Sequence, residues 1–154
     1  MKRFVLSIGL IALAGCAQAQ SWSQMLDLGD HGNLHVVPFT EYLGSDAPLL
    51  RNGQRCGFRI GEGAAARWVV TVGEGSTEMM SCDALLEFGT VGPDRNMIGA
   101  IYRFRPTPRS SYVGPLVLRL DGDQWVVDDS LLETLANRQS SVETLADLND
   151  VLSQ

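Results

Sequence analysis

The sequence predicts an α+β fold: an antiparallel β-sheet with a C-terminal helical hairpin packed on one face or edge. Three observations carry this. Cys56, Phe58 and Ile60 alternate with Gly57 and Arg59, the period of a strand, and residues 96–105 read as a long strand. Residues 115–128 read as a hairpin around Asp121-Gly122, residue types that tolerate positive φ in a tight turn. Beyond Asp128 the period becomes helical, with Val142, Leu145, Leu148 and Leu152 on one face.

In chain order, residues 23–28 read as one helical turn or a capped segment, with Trp22, Met25 and Leu26 on its apolar side. Gly29, Gly32 and Asn33 break it. Residues 34–40 read as a strand, with Pro38 marking an edge or an end. Residues 44–53 carry Gly, Ser, Asp, Pro and Asn and read as a loop. Residues 67–72, RWVVTV, are rich in β-branched and aromatic types and sit between two copies of Gly-Glu-Gly. Neither copy leads into the Gly-Lys-Ser/Thr of a phosphate loop, so both are turns. Residues 76–88 are ambiguous: Ser76 could cap a short helix through Cys82, and 84–88 could be a strand.

The strand at 96–105 places Ile98, Ala100, Tyr102 and Phe104 on one side. Met97, Ile101, Arg103 and Arg105 fall on the other, and Pro106 and Pro108 end it. In the hairpin, Leu116, Leu118 and Leu120 alternate with Val117 and Arg119, and Trp125 and Val127 return on the partner strand. Ser130 with Glu133, and Ser140 with Glu143, each fit a capping box. Leu131, Leu132 and Leu135 begin the first helix. The similar ETLAN and ETLAD segments at 133–137 and 143–147 are two short copies, too few for a solenoid.

The N-terminus carries an address. Met1-Lys2-Arg3 is basic, and residues 4–14 are apolar apart from Ser7. That run is shorter than the roughly 20 residues of a permanent span and reads as a secretory signal. Leu13-Ala14-Gly15-Cys16 resembles the bacterial lipobox, the recognition sequence of lipoprotein signal peptidase. The resemblance implies cleavage before Cys16, acylation of that cysteine and a membrane anchor. Ala17-Gln18-Ala19 fits the competing reading, an A-x-A site that would release a soluble periplasmic or secreted chain. The lipobox is preferred, because all four residues fit. The expected organisation is a signal peptide at 1–15, a tether at 16–21 and one periplasm-facing domain at 22–154. The lack of Asp at position 17 resembles the sorting pattern of outer-membrane lipoproteins.

The 154 residues carry a net charge of −6 and 45% hydrophobic residues, a globular composition. Charge is uneven: residues 51–119 hold nine Arg and six acids, whereas residues 121–154 hold eight acids and only Arg138. Such a chain lacks the basic face that nucleic-acid binding needs, so no nucleic-acid partner is expected. With Cys16 acylated or removed, Cys56 and Cys82 remain, and an even count in an exported chain predicts a disulfide between them.

The catalytic inventory is thin. His31 and His35 are four apart with Asp27 and Asp30 nearby, but Gly32 and Asn33 break a helix between them and HExxH is absent. Residues 73–77, GEGST, lack the second glycine of a nucleophile elbow. Cys56 and Cys82 are too far apart for C-x-x-C. The Asp121/Asp123 and Asp128/Asp129 pairs suit a turn and a helix start, and the D-x-D-x-D-G spacing of a calcium loop is not met. No cofactor, metal site or catalytic residue is expected.

One surface is singled out. Arg103, Arg105 and Arg109, interleaved with Tyr102, Phe104 and Tyr112, combine the residue types of protein-binding hot spots. Arg103, Arg105, Arg109 and Tyr112 are the candidate partner-binding residues, against an acidic protein or anionic glycan. The expected role is a non-catalytic envelope lipoprotein that binds a partner protein, for instance an inhibitor or immunity protein against an envelope-active enzyme or toxin. The layout of lipobox plus small disulfide-bearing β-rich domain is similar to that of periplasmic lysozyme inhibitors, although their Ser-Gly…Tyr signature is missing. The alternatives are a structural accessory lipoprotein of an envelope or secretion assembly and a small metal-dependent hydrolase using His31 and His35.

Overall fold

The computed structural model describes residues 23–42, 54–77, 80–107, 110–138 and 141–154. The signal segment, Cys16, the tether, the 44–53 loop, Pro108, Arg109 and Ser140 lie outside the described residues. Eight strands form two four-stranded antiparallel sheets, followed by two helices. The first sheet contains β1 (Gln24–Asp27), β2 (Asn33–Tyr42), β3 (Gln54–Ile60) and β4 (Arg67–Val72), in that order. The second contains β5 (Cys82–Val91), β6 (Met97–Thr107), β7 (Ser110–Asp121) and β8 (Gln124–Val127), again in chain order. The helices are α1 (Asp129–Ala136) and α2 (Leu145–Leu152). The α+β class holds, with the strands divided between two sheets rather than one.

The second sheet is the middle layer. Its even-numbered β6 residues Ile98, Ala100, Tyr102 and Phe104 pack with Val36, Phe58 and Val72 of the first sheet. Its odd-numbered Ile101, with Val91 and Val117, packs with Leu135, Val142 and Leu148 from the helical region. The two faces expected of this strand are therefore both core, against different partners. A fully buried aliphatic or aromatic side chain stabilises by roughly 1.5–3 kcal/mol.

Two covalent or polar links cross between the sheets. Cys56 of β3 and Cys82 of β5 form the expected disulfide, with Cα atoms 5.9 Å apart. A bulge in the β3–β4 register leaves Thr71 as the extra residue. Its hydroxyl donates to the Cys56 carbonyl at 3.0 Å and lies 2.7 Å from the Tyr102 hydroxyl. Burial pushes the Tyr102 hydroxyl far above its ordinary pKa, so it stays neutral and hydrogen-bonded.

Several local expectations need correction. Residues 24–27 are strand β1, not a helical turn, because Leu26 and Leu28 enter the core at period 2 while β1 pairs with β2 from Gln24↔Val36 to Asp27↔Asn33. The reversal uses Gly29 at φ +58°, where an added Cβ would also lie 2.6 Å from the Asp94 carbonyl oxygen. Pro38 falls where β2 has run past β1 and is locally an edge. Residues 75–77 make one 3-10 turn tied by the Thr77 hydroxyl to the Thr71 and Glu74 carbonyls, and no helix reaches Cys82. Strand β6 runs through Pro106, and a register shift between Phe104 and Thr107 absorbs the missing N–H. Neither helix starts on an expected capping box. Asp128 caps α1, accepting from the Leu131 amide at 3.2 Å. Thr144 and Asp147 form the capping box of α2, whose Leu145 amide also donates to Glu87 of β5 at 2.9 Å. The hairpin turn holds as expected, with Gly122 at φ +64°.

Candidate binding groove

Strand β8 has four residues and β7 has twelve. The β8 pairing covers only Leu118 to Asp121. The first half of β7 therefore has no strand on its outer edge among the described residues. The chain leaves β8 with the Asp128 amide donating to the Val117 carbonyl at 2.8 Å, and α1 then crosses in front of that edge. Leu132 of α1 joins the inter-sheet core while Leu131 and Leu135 join the core beneath the helices, so α1 straddles both layers.

A groove of about 680 Å3 remains between the free half of β7, α1 and the turn at 75–77. Phe104 and Leu116 form its base, and Leu132 and Leu135 its helical wall. Gly114 contributes no side chain, and an added Cβ there would sit 3.4 Å from the Phe104 ring. Tyr112 stands at the mouth, 44% exposed, with its ring stacked on Phe104 at a centroid distance of 5.0 Å. Partial burial raises the Tyr112 pKa, so its hydroxyl is a neutral donor at the rim. Asp129, Glu133 and Arg138 of α1 give the rest of the rim its charge.

The backbone matters as much as the side chains. The Val117 carbonyl points away from β6, because it accepts from Asp128. In an antiparallel strand, alternate residues direct their N–H and C=O to the same side. The amide and carbonyl of Val113 and the carbonyl of Pro115 therefore face the groove, and Pro115 has no amide to satisfy. An apolar trough beside an unpaired strand edge can accept an extended peptide by strand addition, with backbone hydrogen bonds supplying affinity and side-chain pockets supplying selectivity.

The residues singled out from sequence are distributed as follows. Tyr112 lines the groove. Arg103 is exposed opposite Val113, on the other face from the Phe104–Tyr112 pair. Arg105 is engaged: one guanidinium nitrogen lies 2.9 and 3.0 Å from the two carboxylate oxygens of Asp83, the extra residue of a bulge in β5. Arg109 lies outside the described residues. The four are thus not brought into one surface among the described residues. The groove is formed instead by Phe104, named from sequence only as an aromatic neighbour of the arginines, and by the unpaired β7 edge, which sequence reasoning did not assign to a site. The signal was present in the unequal arms of the hairpin: a long apolar run before Asp121, but only residues 124–127 before the helix cap.

The histidines have separate neighbours. The His31 ring sits edge-on to Trp125 of β8 at 6.0 Å. His35 is on the outer face of the first sheet, bonded through Nε2 to the Ser23 hydroxyl, with Nδ1 3.9 Å from Glu62. Among the described residues no group of three or more His, Cys, Asp and Glu side chains is placed to hold a metal ion. Asp128, besides capping α1, lies 3.6 Å from Arg119. Compared with known proteins, the chain matches no family model, no curated protein and no solved structure.

Proposed function

We propose that this protein is a non-catalytic lipoprotein of the bacterial envelope that binds a partner protein, taking an extended segment of that partner into the β7 groove. The observation that carries the reading is the length mismatch of the last hairpin, which leaves an unpaired strand edge beside an apolar trough. The acidic groups Asp129 and Glu133 on the rim favour a partner segment carrying Lys or Arg beside its apolar residues. An inhibitor or immunity role against an envelope-active enzyme or toxin is the concrete form, since occupying a strand of such an enzyme blocks it without chemistry. The lipobox resemblance supports a Cys16 anchor, and Ala rather than Asp at position 17 favours the outer membrane.

The test is capture of envelope proteins by the mature chain and by Val113→Pro. The substitution removes an amide that faces the groove and leaves the β6 pairing intact, so the fold should persist. A partner held by the wild type should be lost, or bound at least tenfold more weakly, by the variant. Equal capture by both would rule out strand addition. Labelling with a radioactive fatty acid in wild type and Cys16→Ser tests the anchor separately.

A further inference from the structure

We infer that the outer face of the first sheet lies against the lipid bilayer, a placement that rests on the lipid-anchor reading of Cys16. The second sheet is covered on both faces, but the first is covered on one. Its outer face is apolar at the centre. Val37, Arg59 and Trp68 lie side by side across β2, β3 and β4, with Phe39, Gly57 and Val70 in the next row. Met25 extends the face onto β1, opposite His35. Trp68 and Met25 are 66% and 59% exposed, two of the three exposed large apolar side chains among the described residues.

The aromatic pair is built into the sheet. The Phe39 ring lies over Gly57, where a Cβ would approach it to 2.7 Å, and meets Trp68 edge-on at 5.0 Å. The cation in the row of Val37 and Trp68 is Arg59, which has no ion-pair partner among the described residues. The acids lie at the ends, with Glu41 opposite Arg55 and Glu62 beyond the end of β3. Tryptophan with apolar neighbours and flanking arginine suits the headgroup region of an anionic bilayer, where an indole keeps one side apolar and one side wet.

The tether decides between a bilayer and other occupants. Residues 16–22 are seven in number and span at most about 25 Å when extended. They lead into β1, the edge strand of this same sheet. An acylated Cys16 therefore holds β1 near the membrane, and the apolar face that begins at Met25 is the surface β1 carries with it. Laid down in this way, the first sheet would leave the helical layer on the side away from the lipid.

The experiment places the acylated protein in vesicles of phosphatidylethanolamine and phosphatidylglycerol, with brominated chains as a fluorescence quencher. Trp68→Phe is compared with wild type, Trp22 and Trp125 being common to both. The expected result is that Trp68→Phe removes at least half of the quenchable emission, and that Arg59→Glu also reduces quenching at least twofold. Quenching unchanged in Trp68→Phe would overturn the inference. So would a concentration-dependent dimer in detergent-free buffer that Trp68→Ala abolishes, which would give the face to a second copy. Absence of fatty-acid label on Cys16 refutes the anchor, not the face. In that case Cys16→Ser chain in the same vesicles must still show Trp68-dependent quenching, or the face assignment fails on its own.

Discussion

The two sheets share strand number and topology but differ in what covers them. The second lies between the first sheet and the helices, and each of its faces belongs to a hydrophobic core. The first buries only the side that carries Val36, Phe58 and Val72. The sequences show the physical consequence. Residues 97–102, MIGAIY, are apolar without interruption because either side of the strand is interior. Strand β3 alternates Cys56, Phe58 and Ile60 with Gly57 and Arg59 because its two sides face different media. A residue on the open side is kept for something other than the core, which turns attention to Trp68 and Phe39.

The sharpest test compares one aromatic from each side of the first sheet. Phe58→Ala empties a fully buried site between the sheets and should cost about 3–5 kcal/mol in denaturant unfolding. Trp68→Ala removes a larger side chain from the open side and should cost only about 1 kcal/mol, the scale of its aromatic pair with Phe39. Similar losses at both positions would show that the open side is a core in solution, and the contrast between the sheets would collapse. Next in size is the covalent link between them. Replacing Cys56 and Cys82 together by Ala, which opens a crosslink of sequence separation 26, should lower stability by about 3–4 kcal/mol in the chain-entropy account. Thermal unfolding with and without reductant reads this directly, and no difference between the two would deny the link a stabilising role.

The smallest effect concerns the helical cover that only the second sheet possesses. The Thr144 side chain and the Glu143 backbone amide hold the Asp147 pKa below its usual 3.8. A carboxyl lowered on folding adds stability above its unfolded value and loses it as pH falls through the folded one. Asp147→Asn should therefore be slightly less stable than wild type at neutral pH, with the gap closing below about pH 4. A gap that persists at pH 2 would mean that the capping box acts without its charge.

How much of this was legible depends on the range of the interactions involved. Strand β4 occupies the expected residues 67–72, and the two sides of β6 hold the expected side chains, because period 2 is written locally. The Cys56–Cys82 pairing followed from there being two cysteines left to pair. Strand β1 was not legible: four residues become a strand only when β2 pairs with them. The division into two sheets was hidden for the same reason, since alternation states that a strand has two sides and not which sheet it joins. The helix caps were misread because Ser-x-x-Glu occurs by composition, whereas the contact of Leu145 with Glu87 depends on packing. At the candidate site Tyr112 was found by residue type. The groove itself was missed because it arises from things absent from the sequence: a side chain at Gly114 and a β8 long enough to match the twelve residues of β7.

The chain order of the strands has a consequence for how the protein folds as its chain emerges. Within each sheet every strand pairs with its neighbours in sequence, so each sheet closes only local loops, whose entropy is small. A chain that emerges N-terminus first, as in synthesis, can complete β1–β4 before β5 appears. During that interval Phe58 and Val72 have no second layer over them, and Cys56 has not yet met Cys82. The period ends when Cys82, the first residue of β5, arrives. The bond that later staples the sheets is then the earliest contact the second sheet can make with the first, and it aligns the rest of the sandwich for docking.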